Sequence, residues 1–195
     1  MTEALKNINE LIHTEADILL YERGLLPILK QFGAPHVTGS YALNLMTWRD
    51  LDIYLETNDM TEENFFKLGM TINKAFNPMK MSYRNERMSK TEGLPFGLYW
   101  GIYLGNERKG AWKIDLWAMD ANECKQRLQF CDDIAARLTP SATEVIMAIK
   151  SACWQDAEYR RSYNSNDIYE SVLSGRVNNI EQFREYLKYR RHGDS

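Results

Sequence analysis

Two acids stand at i and i+2 inside an apolar run, Asp50-Leu51-Asp52-Ile53-Tyr54-Leu55, with nine residues between them and the dipeptide Gly39-Ser40. On an extended strand alternate side chains share a face, so Asp50 and Asp52 lie together, roughly 6.6–6.8 Å apart along the chain. Leu51, Ile53 and Leu55 then take the opposite face, which reads as the buried one. Two carboxylates held side by side repel by about 2–3 kcal/mol at an effective dielectric near 20. A divalent cation with oxygen ligands relieves that repulsion. Gly39 lets backbone N–H groups approach a ligand closely. A helix starting at Ser40-Tyr41-Ala42-Leu43 would turn its first N–H groups toward phosphate. A phosphate cradle beside a paired-carboxylate metal site suits phosphoryl or nucleotidyl transfer. The competing reading is structural: a helix cap at Ser40 and two solvated acids on an edge strand.

Gly39-Ser40, the nine-residue gap and Asp50-x-Asp52 resemble the signature of the nucleotidyltransferase superfamily, which includes DNA polymerase beta and the antibiotic nucleotidyltransferases. The resemblance implies an α+β fold with a small mixed β-sheet core and flanking helices. It also implies a third acid on a neighbouring strand, and Asp115 stands in such an alternation, Trp112-Lys113-Ile114-Asp115-Leu116-Trp117. By resemblance, Asp50 and Asp52 hold the Mg²⁺ (or Mn²⁺) that carries the triphosphate of an NTP such as ATP. Asp115 is a third ligand or the group that takes the proton from the attacking hydroxyl. Gly39 and Ser40 hold the β- and γ-phosphates. The implied reaction moves NMP from an NTP to a hydroxyl of an acceptor and releases pyrophosphate. These elements cover roughly residues 37–118.

The cations near these acids admit two roles. Lys113 shares a strand face with Asp115, so it either bridges to that acid within a structural cluster or serves the phosphates. Arg49 precedes Asp50 and therefore points away from it. If the acids converge on a cation, they repel one another in its absence. Asp→Asn at Asp50 or Asp52 is then expected to leave the metal-free protein at least as stable.

The chain has 195 residues, 44% of them hydrophobic and 12% aromatic, enough for one sizeable core. Its net charge of −3 and a pI near 5.7 argue against a grip on long nucleic acid and favour a small-molecule acceptor. Two other classes stay open: a toxin-like transferase that modifies protein or RNA through the basic 184–191 helix, and a catalytically silent nucleotide-binding module. Cys124, Cys131 and Cys153 include no Cys-x-x-Cys, and the first two read as core thiols in a reducing compartment. Met1-Thr2-Glu3-Ala4-Leu5-Lys6 lacks a signal-peptide pattern, and no apolar run approaches a membrane span. The expectation is a cytoplasmic protein without membrane contact. His13, His36 and His192 are scattered, without partners at ligand spacing.

The elements that must position these residues follow from periodicity and caps. Helical rhythm fills residues 3–32, broken at Gly24 and Pro27. Strands are expected at 36–38 and 51–56, and a helix over 61–76 capped by Asp59 or Thr61 and stopped at Asn77-Pro78. A short strand follows at 79–83. Residues 84–90 read as a polar, mobile loop, either a solvated surface or a flap over triphosphate. Segments 96–104 and 111–119 read as a hairpin, with Tyr99 and Tyr103 in sheet packing or stacked on a base. Asp120 and Glu123 suggest a capping box for a helix to 138. Ser141 and Glu144 suggest another for a helix to 159. Two further helices start at Asn166 and Asn179. The division is a nucleotidyltransferase-like domain over 1–138 and an all-helical C-terminal region over 139–195, walling the acceptor pocket.

Overall fold

Alternation along Asp50–Glu56 has the consequence its period requires. Leu51, Ile53 and Leu55 are fully buried, while Asp50, Asp52, Tyr54 and Glu56 on the other face are only partly so. The computed structural model describes residues 3–193, with side chains through Arg190. Met1, Thr2, Asp194, Ser195 and the side chains of Arg191 and His192 lie outside the described residues.

The fold is α+β. Strand β2 (Asp50–Glu56) pairs antiparallel with β1 (Ala34–Thr38) on one side and parallel with β5 (Lys113–Met119) on the other. Strands β4 (Leu98–Tyr103) and β3 (Lys80–Asn85) continue antiparallel, giving the order β1-β2-β5-β4-β3. The apolar face of this sheet packs against α1 (Glu3–Asp17), α2 (Leu25–Leu29) and α4 (Glu62–Phe76), around Phe65, Leu68, Leu25 and Leu29. Thr61 caps α4 by accepting from the Asn64 N–H at 3.1 Å, and Asn77 ends it at φ +45°, as its position before Pro78 predicts.

The N-terminal helix breaks at Gly24 (φ +78°) but not at Pro27, which lies in the first turn of α2, where its missing N–H costs nothing. A π-helical turn, Ile18–Glu22, precedes the break. The expected mobile loop at 84–90 is instead a packed corner. Strand β3 runs on through Asn85, and α5 (Glu86–Ser89) follows. Glu86 is 2% exposed: its N–H donates to the Gly97 carbonyl, and its carboxylate accepts from the Thr91 N–H at 3.0 Å. A polar segment can fold inward when its charges find backbone donors, which composition does not reveal.

Helix α6 (Ala121–Arg137) is capped by Asp120, but Glu123 spends its carboxylate on the Phe96 N–H and Arg127 and leaves the box half made. Helix α7 (Pro140–Cys153) is capped by Thr139, not Ser141, because Pro140 takes the first helical position. It stops six residues before the expected end, at Cys153. Helix α8 (Ser165–Leu173) starts from an Asn164–Asp167 capping box, and Asn179 caps α9 (Ile180–Gly193). The region after 139 is therefore not all helical: residues 154–164 form a tight loop that pairs Tyr159 with Tyr163. Ile146, Ile149, Tyr169 and Phe183 build a second core on Leu43, Leu45 and Trp48. Among the described residues, no helix is long and apolar enough to cross a membrane.

Arg49 does point away from Asp50. Its Nε and Nη2 bind the Glu15 carboxylate at 2.5 and 2.6 Å, and Trp112 Nε1 donates to the same group at 3.2 Å. This clamps α1 to the β2–β5 edge. Arg49→Leu removes both charged hydrogen bonds and is expected to cost about 1.5–3 kcal/mol in urea denaturation. A cost below a few tenths would mean that α1 is held by its apolar contacts alone.

Candidate active site

The parallel pairing of β2 with β5 sets the charges. In register, Asp50 faces Lys113 and Asp52 faces Asp115, so four ionisable groups form a square on one face of the sheet. Lys113 Nζ sits 2.5 Å from Asp115 Oδ2 and 3.9 Å from Asp50 Oδ1. A second cation arrives from the 154–164 loop: Arg160 Nη2 is 2.7 Å from Asp50 Oδ2, which also accepts from Trp48 Nε1 at 3.3 Å. Tyr99, from β4, donates its hydroxyl to Asp115 Oδ1 at 2.5 Å while its ring packs 4.7 Å from Trp117. The face thus carries three carboxylates against two cations. Among the described residues no cation pairs with Asp52.

Each group's protonation follows from these neighbours. Burial opposes charge on Asp50, but Lys113 and Arg160 outweigh it and hold the acid below its usual range. Lys113 is likewise desolvated, yet Asp50 and Asp115 raise it above an ordinary lysine. At Asp52 the pull of Lys113 and Arg160 is outweighed. Burial first, then the charges of Asp50 and Asp115, push it up to about 8.

Gly39 adopts φ +62° and closes on this square. A Cβ at that position would collide with Asp52 Oδ2, so only glycine lets the backbone lie against the acid. The helix that follows, α3 (Gly39–Ala42), is a single turn that begins one residue earlier than expected. Ser40 is engaged from behind. Its Oγ accepts from Lys150 Nζ at 2.6 Å, and that nitrogen also donates to the Leu45 carbonyl (2.8 Å) and the Tyr169 hydroxyl (3.1 Å). Lys150 is fully buried and lies over the rings of Trp48 and Tyr169.

A cavity of about 790 Å³ opens above the square. Gly39, Asp52 and Asp115 contribute to its floor, Phe130 of α6 to one wall, and Arg160 and Asn166 to another. None of residues 84–90 lines it. The structure therefore brings Asp50, Asp52, Asp115, Lys113 and Gly39 together, while the Ser40 hydroxyl is turned to Lys150. Cys131, expected in the core, is only partly buried and lines the cavity. Sequence reasoning missed Arg160, Lys150 and the contact of Tyr99 with Asp115. Arg160 is 110 residues from Asp50, and no local spacing signals the pairing.

Compared with known proteins, the chain matches no family model, and no curated protein aligns to it significantly. The site must be judged on its own chemistry. Its acids offer oxygen ligands only, the donor set of Mg²⁺ or Mn²⁺. Asp50 Oδ1 is buried without a hydrogen-bond partner, the kind of acceptor that a hard cation satisfies. Asp50, Asp52 and Asp115 are the residues that would hold such an ion.

The pairing splits the two acids of β2, which the sequence treats alike. Asp52 has a folded pKa of about 8 against 3.8 ordinarily, so between those values the folded state binds a proton that the unfolded chain has released. Stability of the metal-free protein then falls as pH rises through that window, by up to about 1.4 kcal/mol per pH unit. Asp52→Asn removes this residue's share of the slope, leaving that of Asp115, which burial also raises, and is the more stable protein above the window. Asp50→Asn instead leaves Arg160 without its anion and costs up to about 3 kcal/mol at neutral pH. Urea titrations in chelator across the window read both signs. Matching behaviour of the two variants would contradict the charge assignment.

Proposed function

We propose that the protein is a metal-dependent nucleotidyltransferase that moves NMP from an NTP to a hydroxyl of a small-molecule acceptor and releases pyrophosphate. The observation that carries this reading is the convergence of Asp50, Asp52 and Asp115 on one sheet face, against Gly39, at the floor of a ligand-sized cavity. Asp50, Asp52 and Asp115 would hold Mg²⁺ or Mn²⁺. Such an ion neutralises phosphate charge and orients the attacking and leaving oxygens.

The chain's own residues supply the rest. The Gly39 backbone, free of a Cβ, admits phosphate oxygens beside Asp52. Lys113 and Arg160 are cations within reach of the same space and favour a polyanion there. The acceptor oxygen forms its bond to the α-phosphorus as the bond to the β-phosphate oxygen breaks. Asp115, which lines the cavity, takes the hydroxyl proton, and pyrophosphate carries off the displaced electron pair. Holding the two reactants in one enclosed cavity supplies several kcal/mol more by positioning alone. The cavity and the acidic composition favour a small acceptor over long nucleic acid. Three unpaired thiols favour a reducing compartment, and we place the protein in the cytoplasm.

One observation supports a second reading. Lys113 and Arg160 already compensate Asp50 and Asp115, as they would in a nucleotide-binding module that performs no transfer. Binding and turnover separate the two. With Mg²⁺, a saturating NTP at a hundredfold excess over Kd adds about 2.7 kcal/mol, which corresponds to a rise of roughly 5–11 °C in Tm. Chelator abolishes that rise, and so do Asp52→Asn and Gly39→Val. Pyrophosphate release with metabolite fractions, and a mass increase of one NMP on the acceptor, then establish transfer. A melt shift without pyrophosphate favours the silent module, and a mass increase on protein or RNA favours a macromolecular target. No shift with any NTP overturns the proposal.

A further inference from the structure

The acid-bearing face of the sheet continues past the cavity, and its far end carries a different set of donors. His36 of β1 stands opposite Tyr54 of β2, and Glu56 is the next residue on that face. His36 Nε2 and Glu56 Oε2 are 3.2 Å apart. The fourth residue of α6, Cys124, packs over them on Trp117 and Met119. One nitrogen, one carboxylate oxygen and one sulfur, from three separate elements, all lie within 4.8 Å of one another. Glu56 is four residues from Asp52, about 13 Å along the strand, so this cluster is separate from the three aspartates.

We infer that His36, Glu56 and Cys124 form a zinc site that pins α6 to the edge of the sheet. The donor set decides the metal. Imidazole, thiolate and carboxylate together suit Zn²⁺, whereas Mg²⁺ and Mn²⁺ prefer oxygen. Bonds of about 2.0–2.3 Å around a tetrahedral ion place donors nearer together than 4.8 Å, so the side chains must close by about 1 Å. His36 and Glu56 are 35% and 39% exposed and have room to do so, and they leave the ion accessible from solvent. Cys124 is fully buried, and its thiol makes no hydrogen bond among the described residues. Binding replaces the thiol proton with the ion and releases that proton to solvent. Solvent water completes the coordination.

The consequence is mechanical. Helix α6 carries Arg127, Phe130 and Cys131 to the cavity, and the bond from Cys124 fixes this wall relative to β1 and β2. Histidine spacing could not reveal the site, because its three members are joined by strand pairing and helix packing, not by sequence.

Purified protein, stripped with chelator and titrated with zinc against a chromophoric chelator, is expected to bind one ion beyond any held by the aspartates. Cobalt substitution gives the sharper readout, because a thiolate ligand produces a near-ultraviolet charge-transfer band that oxygen ligands cannot. Asp52→Asn and Cys131→Ser keep this band. Cys124→Ser loses it, and His36→Gln weakens zinc binding by more than the roughly tenfold to hundredfold that an outer-shell partner is worth. Zinc raises Tm of wild type but not of His36→Gln. Because His36 is partly exposed, that variant remains a valid test even if Cys124→Ser fails to fold. A wild-type protein without the cobalt band, or His36→Gln with unchanged zinc affinity, would show an ordinary His–Glu ion pair beside a buried thiol and overturn the site. Neither result bears on nucleotide binding at the aspartates.

Discussion

Like charges forced onto one sheet face are the constraint around which this protein is built. Parallel pairing of β2 with β5 leaves Asp52 opposite Asp115 and puts Asp50 one step away. Taken from water, three such carboxylates would repel strongly. The fold answers with Lys113, on the same face, and with Arg160, reached from a loop more than a hundred residues downstream. Arg160 itself sits in a left-handed backbone conformation, φ +65°. A non-glycine residue held there costs of order 1–3 kcal/mol and persists where its surroundings over-determine it, often at functional sites. Even so, no cation pairs with Asp52 among the described residues, and burial together with its two acidic neighbours pushes its carboxyl up to about 8.

The two cores meet behind this site. Leu43, Leu45 and Trp48, which link the glycine turn to β2, belong to the core of the C-terminal helices. Lys150 is the polar counterpart of that junction: a buried amine with no salt bridge among the described residues, satisfied by a carbonyl, two hydroxyls and two aromatic rings. Burying a charge on such terms is tolerable only when every donor is used. It ties the position of α7 and α8 to Ser40, and hence the cavity wall to the cavity floor.

The same sheet face presents hard oxygen donors at one end and a mixed nitrogen, sulfur and oxygen set at the other. Ligand chemistry sorts metals more reliably than raw affinity. On the two proposals above, one ion would serve the chemistry and the other would brace the helix beside it.

Much of this was legible in the sequence because it is local. The period-2 alternation of Asp50–Glu56 placed both acids on one face and the aliphatic side chains on the other. Thr61, Asn77, Asp120 and Asn179 marked helix ends through hydrogen bonds that span only a few residues. Gly39 could be read as a close approach of backbone because few other residues allow one. Local rules failed most often where a group outside the local pattern had intervened. Glu86 turned a polar stretch into a packed corner by finding the backbone at Gly97 and Thr91. Lys150 drew the Ser40 hydroxyl away from the cavity, and Arg160 separated the fates of Asp50 and Asp52. Side-chain period and capping are set by the residues adjoining in the chain. Which charges pair, which serine is free and which histidine meets a thiol depend on strand register and helix packing, and only the tertiary structure decides those.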